Sequence, residues 1–314
     1  MSVISKRESR FNTAHKFGST MATTHPIGSP SALRGRLALA LVLALAAAAA
    51  LPGPARAERN GWAKVAGPAP GAARVHGSYA KGCIAGARAL ALDGPGYAVL
   101  RPRRNRFWGH PSLIAFLADF ARRVARPGEV LLIADLGQPR GGPATGHASH
   151  QAGLDADIRL STLRRAALTR TYRAAPPNVS MLSRDGKALD RRRWTARQTG
   201  LIRAAALDAR VDRVFVNPVI KRALCRTVTG DRGWLAKVVP WYGHDAHMHV
   251  RLRCPKDSPA CRPQRAVPPG DGCGAALAWW FRRVTVAPVK PAKPAARAPR
   301  KPPLPKACRA VLTR

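Results

Sequence analysis

GHASHQAGLDAD, residues 146–157, is the stretch that decides the fold, because it places two histidines and two aspartates within twelve residues. Small and polar residues precede it at 141–145, and an alternation of apolar residues leads out of it at 154–160. Successive side chains of a strand point to opposite faces, so this pattern predicts a loop that runs into a β-strand.

WYGHDAHMHVRL, residues 241–252, contains a second group of histidines, His244, His247 and His249. His247 and His249 are two residues apart on a predicted strand, so their side chains point to one face. Imidazole nitrogens and carboxylate oxygens suit zinc, and a catalytic zinc site commonly has three protein ligands and leaves a fourth position to water. The two stretches together can supply such a site.

The chain has 314 residues and a formal net charge of +38, from 54 Lys and Arg against 16 Asp and Glu. This length predicts one large domain, or one domain with tails. The charge allows a nucleic-acid binder, a protein attracted to an anionic surface, or a chain whose charge forms a solvated exterior. The basic residues are dispersed, which favours the third interpretation, with attraction to an acidic envelope polymer as a secondary effect.

A leader precedes the predicted domain. Arg34 and Arg36 stand before an uninterrupted apolar run at 37–51, and Ala55-Arg56-Ala57 follows. This order predicts a secretory signal cleaved after Ala57, with a buried helix or an uncleaved anchor as the alternatives. We therefore expect export to the periplasm without stable membrane insertion, and a nucleic-acid partner is disfavoured.

The predicted organisation is a leader at 1–57, a catalytic domain at 58–283 and a Pro/Lys-rich tail at 284–314. Six cysteines follow the leader, and an even number in an exported chain predicts disulfides. Six cysteines permit about fifteen pairings, and spacing alone suggests only Cys254 with Cys261. A structural zinc on cysteines is disfavoured because no C-x-x-C spacing occurs. The six are Cys83, Cys225, Cys254, Cys261, Cys273 and Cys308.

Hydrophobic periodicity predicts an α+β fold, in which an antiparallel sheet carries the metal site on neighbouring strands and helices and disulfide-tied loops flank it. The predicted helices are 111–125, with Ser112 as a candidate cap, 194–209, 218–225 and 276–281. The predicted strands are 129–136, 154–160 and 211–216. Pro, Lys and Ala at 284–306 are typical of an extended tail.

The spacing His150-x6-Asp157, with Gly153 completing H-x-x-G, is followed in the chain by His247-x-His249. This arrangement resembles the lysostaphin and D-alanyl-D-alanine metallopeptidase superfamily. The resemblance implies that His150, Asp157 and His249 hold a zinc ion.

A closer resemblance is to the penicillin-insensitive murein endopeptidases, and it extends from residue 82 to the tail cysteine. The segments that carry it are SHQAGLDADI at 149–158, SRDGK at 183–187, RVFVNPVIKRALC at 213–225, WYGHDAHMHVRLRCP at 241–255 and PPGDGCG at 268–274. The resemblance implies disulfides that join Cys83 to Cys308, Cys225 to Cys273 and Cys254 to Cys261. It also implies zinc as cofactor and peptidoglycan peptides as substrate, cut at D-alanyl-meso-diaminopimelyl cross-links.

Two further metal positions follow from the same resemblance. His147 is implied to lie in the metal site, where a ligand, a contact to a ligand and a substrate contact are the alternatives. Asp185 matches a position that the family associates with further metal binding, although the histidine that accompanies it in the family is replaced by Ala188. A surface turn at Asp185-Gly186 is the local alternative.

His247 is the predicted general base. No glutamate lies near the second motif, so a glutamate cannot take the proton of water as it does in the H-E-x-x-H arrangement. A histidine near its ordinary pKa can accept that proton and return it to the leaving amine. His244 is assigned with it as an assisting residue, with substrate binding or a loop-holding hydrogen bond as alternatives. Asp155 is expected to orient a ligand, and His110 to pack at the surface or line the substrate groove.

These observations predict a zinc-dependent murein endopeptidase. One alternative is a carboxypeptidase or dipeptidase of the same superfamily, which differs in what closes the groove. Another is a non-catalytic cell-wall binding module in which four protein ligands close a structural zinc site. The sequence sets no oligomeric state.

Overall fold

The computed structural model describes residues 61–282 and 303–314, which fall within one compact unit. The predicted leader with its cleavage site, and the predicted tail over residues 284–302, lie outside the described residues. None of the described helices combines the length and the apolar character that crossing a bilayer requires.

Twelve strands and six α-helices form the described part of the chain. The strands are β1 (Arg74–Ser78), β2 (Lys81–Ala85), β3 (Arg88–Ala89), β4 (Asp93–Gly94), β5 (Tyr97–Val99), β6 (Trp108–Gly109), β7 (Glu129–Ile133), β8 (Asp155–Arg159), β9 (Leu163–Arg164), β10 (Val211–Val216), β11 (Val238–Pro240) and β12 (His247–Leu252). The helices are α1 (Pro111–Val124), α2 (Arg170–Ala174), α3 (Ala196–Leu207), α4 (Pro218–Thr227), α5 (Ala275–Arg282) and α6 (Ala307–Thr313).

The main sheet has the strand order β11-β10-β12-β8-β7-β5-β4, and β9 also pairs with β7. The central pairs β10/β12, β12/β8 and β8/β7 are antiparallel, which confirms the α+β class. Two flanking pairs, β5/β7 and β10/β11, are parallel, so the sheet is mixed. In each of these pairs a helix, α1 or α4, lies between the two strands in the chain, and such a crossover lets a strand return in the same direction.

The sheet is covered on both faces around β7. Leu131 and Ile133 belong to the main core together with α1 and α3, whereas Val130 and Leu132 belong to a second cluster with residues of the 163–172 segment. Alternate side chains of a strand point to opposite faces. Burial on both faces therefore explains why this strand appears in the sequence as an uninterrupted apolar run.

The helices begin close to their predicted starts. The first turn of α1 is capped by His110, whose Nδ1 accepts a hydrogen bond from the backbone N–H of Ser112, so Ser112 as the cap is wrong. The first turn of α3 is closed by a capping box between Thr195 and Gln198. Both arrangements satisfy backbone N–H groups that have no partner within the helix.

Three disulfides have the pairing that the resemblance implies: Cys83 with Cys308, Cys225 with Cys273, and Cys254 with Cys261. The first joins α6, at the end of the chain, to β2. The second joins α4 to the turn that precedes α5. The first cross-link holds α6, which contributes only Cys308 and Val311 to a small buried cluster.

Candidate metal centre

The two histidine motifs meet because β8 and β12 are antiparallel neighbours. Their register places His249 opposite Asp157 and Arg251 opposite Asp155. Residues directly opposite one another in such a pair project to the same face of the sheet. Strand pairing alone therefore brings the last histidine of the second motif beside the aspartate of the first.

The loop before β8 adds His147 and His150. His150 has φ 66°, a left-handed backbone conformation that is uncommon outside glycine. Its backbone N–H donates to Asp155 Oδ2 at 3.0 Å, and its Nδ1 lies 2.9 Å from the carbonyl oxygen of Leu136. These contacts hold the ring so that Nε2 faces Asp157. Gly153 has φ +66°, and a Cβ there would lie 2.9 Å from Ile84 Cδ1, which explains the glycine of the first motif.

Asp157 is the point on which the rings converge. Its Oδ1 lies 3.3 Å from His150 Nε2, 3.3 Å from His249 Nδ1 and 3.6 Å from His247 Nε2. Its Oδ2 lies 3.9 Å from His147 Nδ1. His147, His150 and Asp157 each offer a ligand atom within 4.8 Å of the other two.

The buried polar atoms of this cluster test whether a metal ion would fit. Asp157 Oδ1 and His150 Nε2 are buried and have no hydrogen-bond partner. Leaving such atoms without a partner is costly, and few occur in native proteins without an explanation. Imidazole nitrogens around one carboxylate form a donor set that divalent zinc accepts. The residues present therefore fit a bound zinc ion.

The electrostatics favour an ionised carboxylate at this point. Burial alone would raise the pKa of Asp157, but His150 and His247 outweigh it and hold this pKa well below its ordinary value. Burial would lower the pKa of His249, yet Asp155 and Asp157 raise it. A carboxylate that stays ionised in a buried cluster attracts a cation.

Asp155 is also buried, but unlike Asp157 it accepts hydrogen bonds at both carboxylate oxygens. It accepts hydrogen bonds from Arg251 at 2.7 and 3.1 Å and from the backbone N–H of His150. His249 Nε2 also lies 3.1 Å from Asp155 Oδ1, although without the alignment of a hydrogen bond. The orienting role of Asp155 stays a prediction.

Asp135 is a residue of this centre that the sequence analysis missed. Its Oδ2 lies 2.9 Å from His147 Nε2, and it also accepts hydrogen bonds from Arg101, Arg104 and Arg106. His147 is therefore held through Nε2, while its Nδ1 faces Asp157. The only signal in the sequence was an acidic residue near the end of the apolar run at 129–136.

His247 and His244 lie at the open side of the cluster. The His247 side chain is 24% exposed, and burial lowers its pKa below the ordinary value. Burial, with His247 and His249 nearby, lowers the pKa of His244 to about 4. His244 Nδ1 lies 2.9 Å from the carbonyl oxygen of Tyr242. Both imidazoles are consequently neutral near neutral pH in the metal-free protein.

A groove of about 210 Å³ opens beside the cluster. It is lined by His244, His249, Ser149, Phe215, Trp241 and Arg251, among others. Phe215 packs edge-on against His249, with ring centroids 5.2 Å apart.

Asp185 is exposed and lies in a turn. Its Oδ1 accepts hydrogen bonds from Ser183 Oγ at 2.6 Å and from the backbone N–H of Lys187 at 3.0 Å. It is not part of the His147, His150 and Asp157 group, and the described residues contain no second group of three candidate ligands. Metal binding by Asp185 stays a prediction.

His110 is buried rather than at the surface. Its Nδ1 caps α1, and its Nε2 lies 3.2 Å from Asp257 Oδ1. It does not line the groove beside the histidine cluster.

Comparison with known proteins places the chain in one family. A sequence model described as penicillin-insensitive murein endopeptidase matches residues 75–313. Curated proteins of that name from Salmonella heidelberg, Salmonella paratyphi B and Salmonella newport are each 44% identical to the chain over 253 residues, which is 80% of this chain and 90% of each relative.

Proposed function

This chain belongs to the penicillin-insensitive murein endopeptidase family, and we propose that it is a zinc-dependent endopeptidase that cuts D-alanyl-meso-diaminopimelyl cross-links of peptidoglycan in the periplasm. Membership in the family makes it a hydrolase that acts on peptidoglycan. The cofactor, the bond that is cut, the compartment and the residue roles are the proposal.

The observation that carries the proposal is the convergence of two buried imidazoles on one carboxylate oxygen that has no hydrogen-bond partner. His150, Asp157 and His249 would hold zinc, and His147 would contribute from the loop. When bound, zinc lowers the pKa of a water ligand to about 7 and polarises a carbonyl group.

The residues around this centre have distinct tasks. Asp155 lies at Nε2 of His249, and Asp135 lies at Nε2 of His147. Each aspartate thereby orients its histidine so that Nδ1 faces Asp157. The groove beside the histidines positions the peptide, and its apolar wall at Phe215 excludes water from one side.

His247 moves the proton. Its neutral imidazole accepts a proton at Nε2 from the attacking water and then donates it to the leaving amine. The partial exposure of its side chain leaves it accessible to substrate, whereas His150 and His249 are almost completely buried. His244, whose ring centroid lies 5.0 Å from that of His247, lines the groove and assists in substrate positioning.

The test is digestion of purified dimeric muropeptides, cross-linked through a D-alanyl-meso-diaminopimelyl bond, by zinc-loaded protein. We expect release of monomers, loss of activity on chelation and recovery on zinc addition. Trimming of free termini without cleavage of the cross-link would assign the carboxypeptidase alternative instead.

His247→Ala separates catalysis from a structural metal site. We expect normal zinc content with a loss of activity of about 100- to 10,000-fold, the range for removal of a general acid–base. Arg203→Ala, on the exposed face of α3, is the control and should change neither. Unchanged activity of His247→Ala would reject its assignment as the base.

A further inference from the structure

Exposed aromatic side chains are concentrated in one patch next to the candidate metal centre. Of the five large apolar side chains exposed in the described ranges, three lie here: Trp241 at 51%, Tyr242 at 47% and Trp279 at 41%. Trp280 lies between them. We call Trp241, Tyr242, Trp279 and Trp280 the aromatic platform. Clustered exposed apolar surface commonly marks a binding site.

The platform is held in a defined shape. Trp280 has ring centroids 5.9 Å from Trp241, 4.9 Å from Tyr242 and 5.3 Å from Trp279. The Tyr242 hydroxyl donates a hydrogen bond to the carbonyl oxygen of Trp280 at 2.8 Å, which joins the loop before β12 to α5. The rings are therefore ordered before any ligand arrives, which reduces the entropy lost on binding.

The platform is continuous with the candidate metal centre. Trp241 lines the groove that contains His244 and His249, and its ring lies 6.0 Å from that of Phe215, which in turn lies 5.2 Å from His249. A chain of ring contacts through Phe215 and Trp241 thus connects the buried His249 to Trp280.

A second groove, of about 390 Å³, shares Tyr242 and Trp280 with the platform. Tyr242, Trp280 and Phe281 form its aromatic part, and Lys187 and Arg222 are its charged lining residues; no acidic residue lines it. Arg222 lies over the Phe281 ring at 4.0 Å. An aromatic surface bordered by cations suits a ligand that combines apolar faces with negative charge.

We propose that the aromatic platform binds the glycan strand to which the cleaved peptide is attached. The pyranose rings stack on the exposed aromatic faces, and the second groove receives the acidic peptide stems next along the strand. The proposal rests on the proposed function, since it takes peptidoglycan as the substrate.

The chemistry of that polymer favours the sugar over the peptide as the occupant. The stems consist of alanyl, glutamyl and diaminopimelyl units, whose side chains are methyl groups, carboxylates and an ammonium. The ammonium can lie over an indole ring, but it is a single group on each diaminopimelyl unit, and the carboxylates and methyl groups offer no flat face to stack. The C–H faces of the pyranose rings are the flat, weakly apolar surfaces that the polymer offers.

The distances permit this arrangement. A stem of four residues between the scissile bond and the sugar spans about 13 Å when extended. The platform begins two ring contacts from His249, of 5.2 and 6.0 Å, and Trp280 adds a third of 5.9 Å. A sugar on Trp241 therefore lies within reach of a stem whose cross-link is at the histidines, and Trp280, one ring contact further, can bind the next part of the same glycan strand.

The test compares two substrates: a cross-linked dimer that carries its disaccharides, and the same peptide dimer after an amidase has removed them and left a free α-amino group on each stem. We expect Trp280→Ala to lower kcat/KM for the sugar-bearing dimer by about 3- to 10-fold, the range for loss of one aromatic contact, and to leave the sugar-free dimer unchanged. Trp280→Phe should recover most of the difference. Leu207→Ala, an exposed apolar residue outside the platform, should alter neither substrate.

The ratio of the two rates separates the outcomes. A folding defect lowers both rates together, so an unchanged ratio in both Trp280→Ala and Trp241→Ala would overturn the proposal. A wild-type protein that cuts neither dimer would reject the proposed function itself. Binding of metal-free protein to peptide-free glycan chains should weaken in Trp280→Ala, and weakened binding to anionic lipid vesicles instead would assign the platform to a membrane surface.

Discussion

Asp135 and Asp157 lie side by side, joined by a hydrogen bond from the backbone N–H of Asp157 to the carbonyl oxygen of Asp135, yet their carboxylates have different surroundings. Asp135 contacts three arginines and one histidine. Asp157 has four histidine rings within 4 Å and one oxygen without a hydrogen-bond partner.

The difference teaches what makes a buried carboxylate available to a metal ion. A guanidinium stays charged and occupies the carboxylate with fixed hydrogen bonds. A neutral imidazole brings a lone pair of its own, so a cation can bind both groups at once. Asp135 is thereby committed to holding the protein's own groups, whereas Asp157 is open to an ion.

Asp157→Ala removes the carboxylate whose oxygen is open to an ion, and it should have the largest effect. We expect loss of stoichiometric zinc and a fall in activity of about 1,000-fold or more, since a bound metal supplies several kcal/mol of transition-state stabilisation. Metal content by mass spectrometry and the rate of muropeptide cleavage measure this. Asp119→Ala, at a half-exposed ion-paired aspartate outside the metal centre, is the control, and full zinc content in Asp157→Ala would contradict the assignment.

Asp155→Asn tests a second buried carboxylate that an arginine occupies. It lies on β8, the strand that also carries Asp157. Arg251 is 5% exposed and would keep its charge without its partner, so the free energy of unfolding should fall by about 3–5 kcal/mol. Chemical denaturation of the metal-free protein with intact disulfides measures this without a contribution from metal binding.

The double variant Asp155→Asn with Arg251→Met is the control for that prediction. Removing the unpaired charge as well should restore part of the stability, so the two substitutions should be non-additive. Simple additivity would show that Asp155 stabilises the fold through other contacts.

Asp135→Asn tests whether the carboxylate that holds His147 contributes to zinc affinity. His147 would lose the carboxylate that holds its Nε2, and we expect zinc affinity to fall by about 10- to 100-fold, as for other residues that orient a ligand. Competition with a chelator of known affinity measures this. In a His147→Ala background the same substitution should have no further effect on affinity, and a persistent effect would assign Asp135 another role.

Asp208 gives the smallest expected effect, because it is a carboxylate held by arginines outside the metal centre. Despite partial burial, hydrogen bonds from Arg210 and Arg123 lower its pKa from 3.8 to about 2. The folded-state pKa is depressed, so this stability is present above about pH 3.8 and is lost as pH falls through about 2.

Denaturation of wild type and Asp208→Asn between pH 5 and 2 measures that contribution. The arginines are partly exposed, so screening limits the difference at pH 5 to about 1 kcal/mol, and the difference should shrink as the pH falls. A constant difference across the range would mean that the charge of Asp208 does not contribute.

Local patterns in the sequence predicted the four longest helices and the strands β7, β8, β10 and β12 of the main sheet. The helix predicted at 111–125 spans Pro111–Val124, and the strand predicted at 211–216 has those bounds. Both depend on the spacing of apolar residues along a few turns or pleats, which neighbours in the chain determine. The parallel pairing of β5 with β7 was not predicted, because strand direction depends on how a crossover packs rather than on the strand's own residues.

Some residues of the candidate site could also be predicted from the sequence, and others could not. The motif spacing identified His150, Asp157, His247 and His249, and the resemblance added His147 and Asp185. The structure brings the first five together, whereas Asp185 lies apart in an exposed turn. Arg101, Arg104 and Arg106 gave no signal, because dispersed arginines are numerous in this chain and only packing selects those that reach Asp135.

The sequence by itself determined the family, the disulfide pairing through that resemblance, and the residue types that can bind a metal ion. The resemblance pointed to Asp157 as a ligand, but only the tertiary structure shows why this one of three buried aspartates keeps an oxygen without a hydrogen-bond partner. Asp135, Asp155 and Asp157 have the same side chain, so their difference comes from strand register and from the arginines that packing brings to the first two. Those contacts join residues distant in the chain, and no local pattern encodes them.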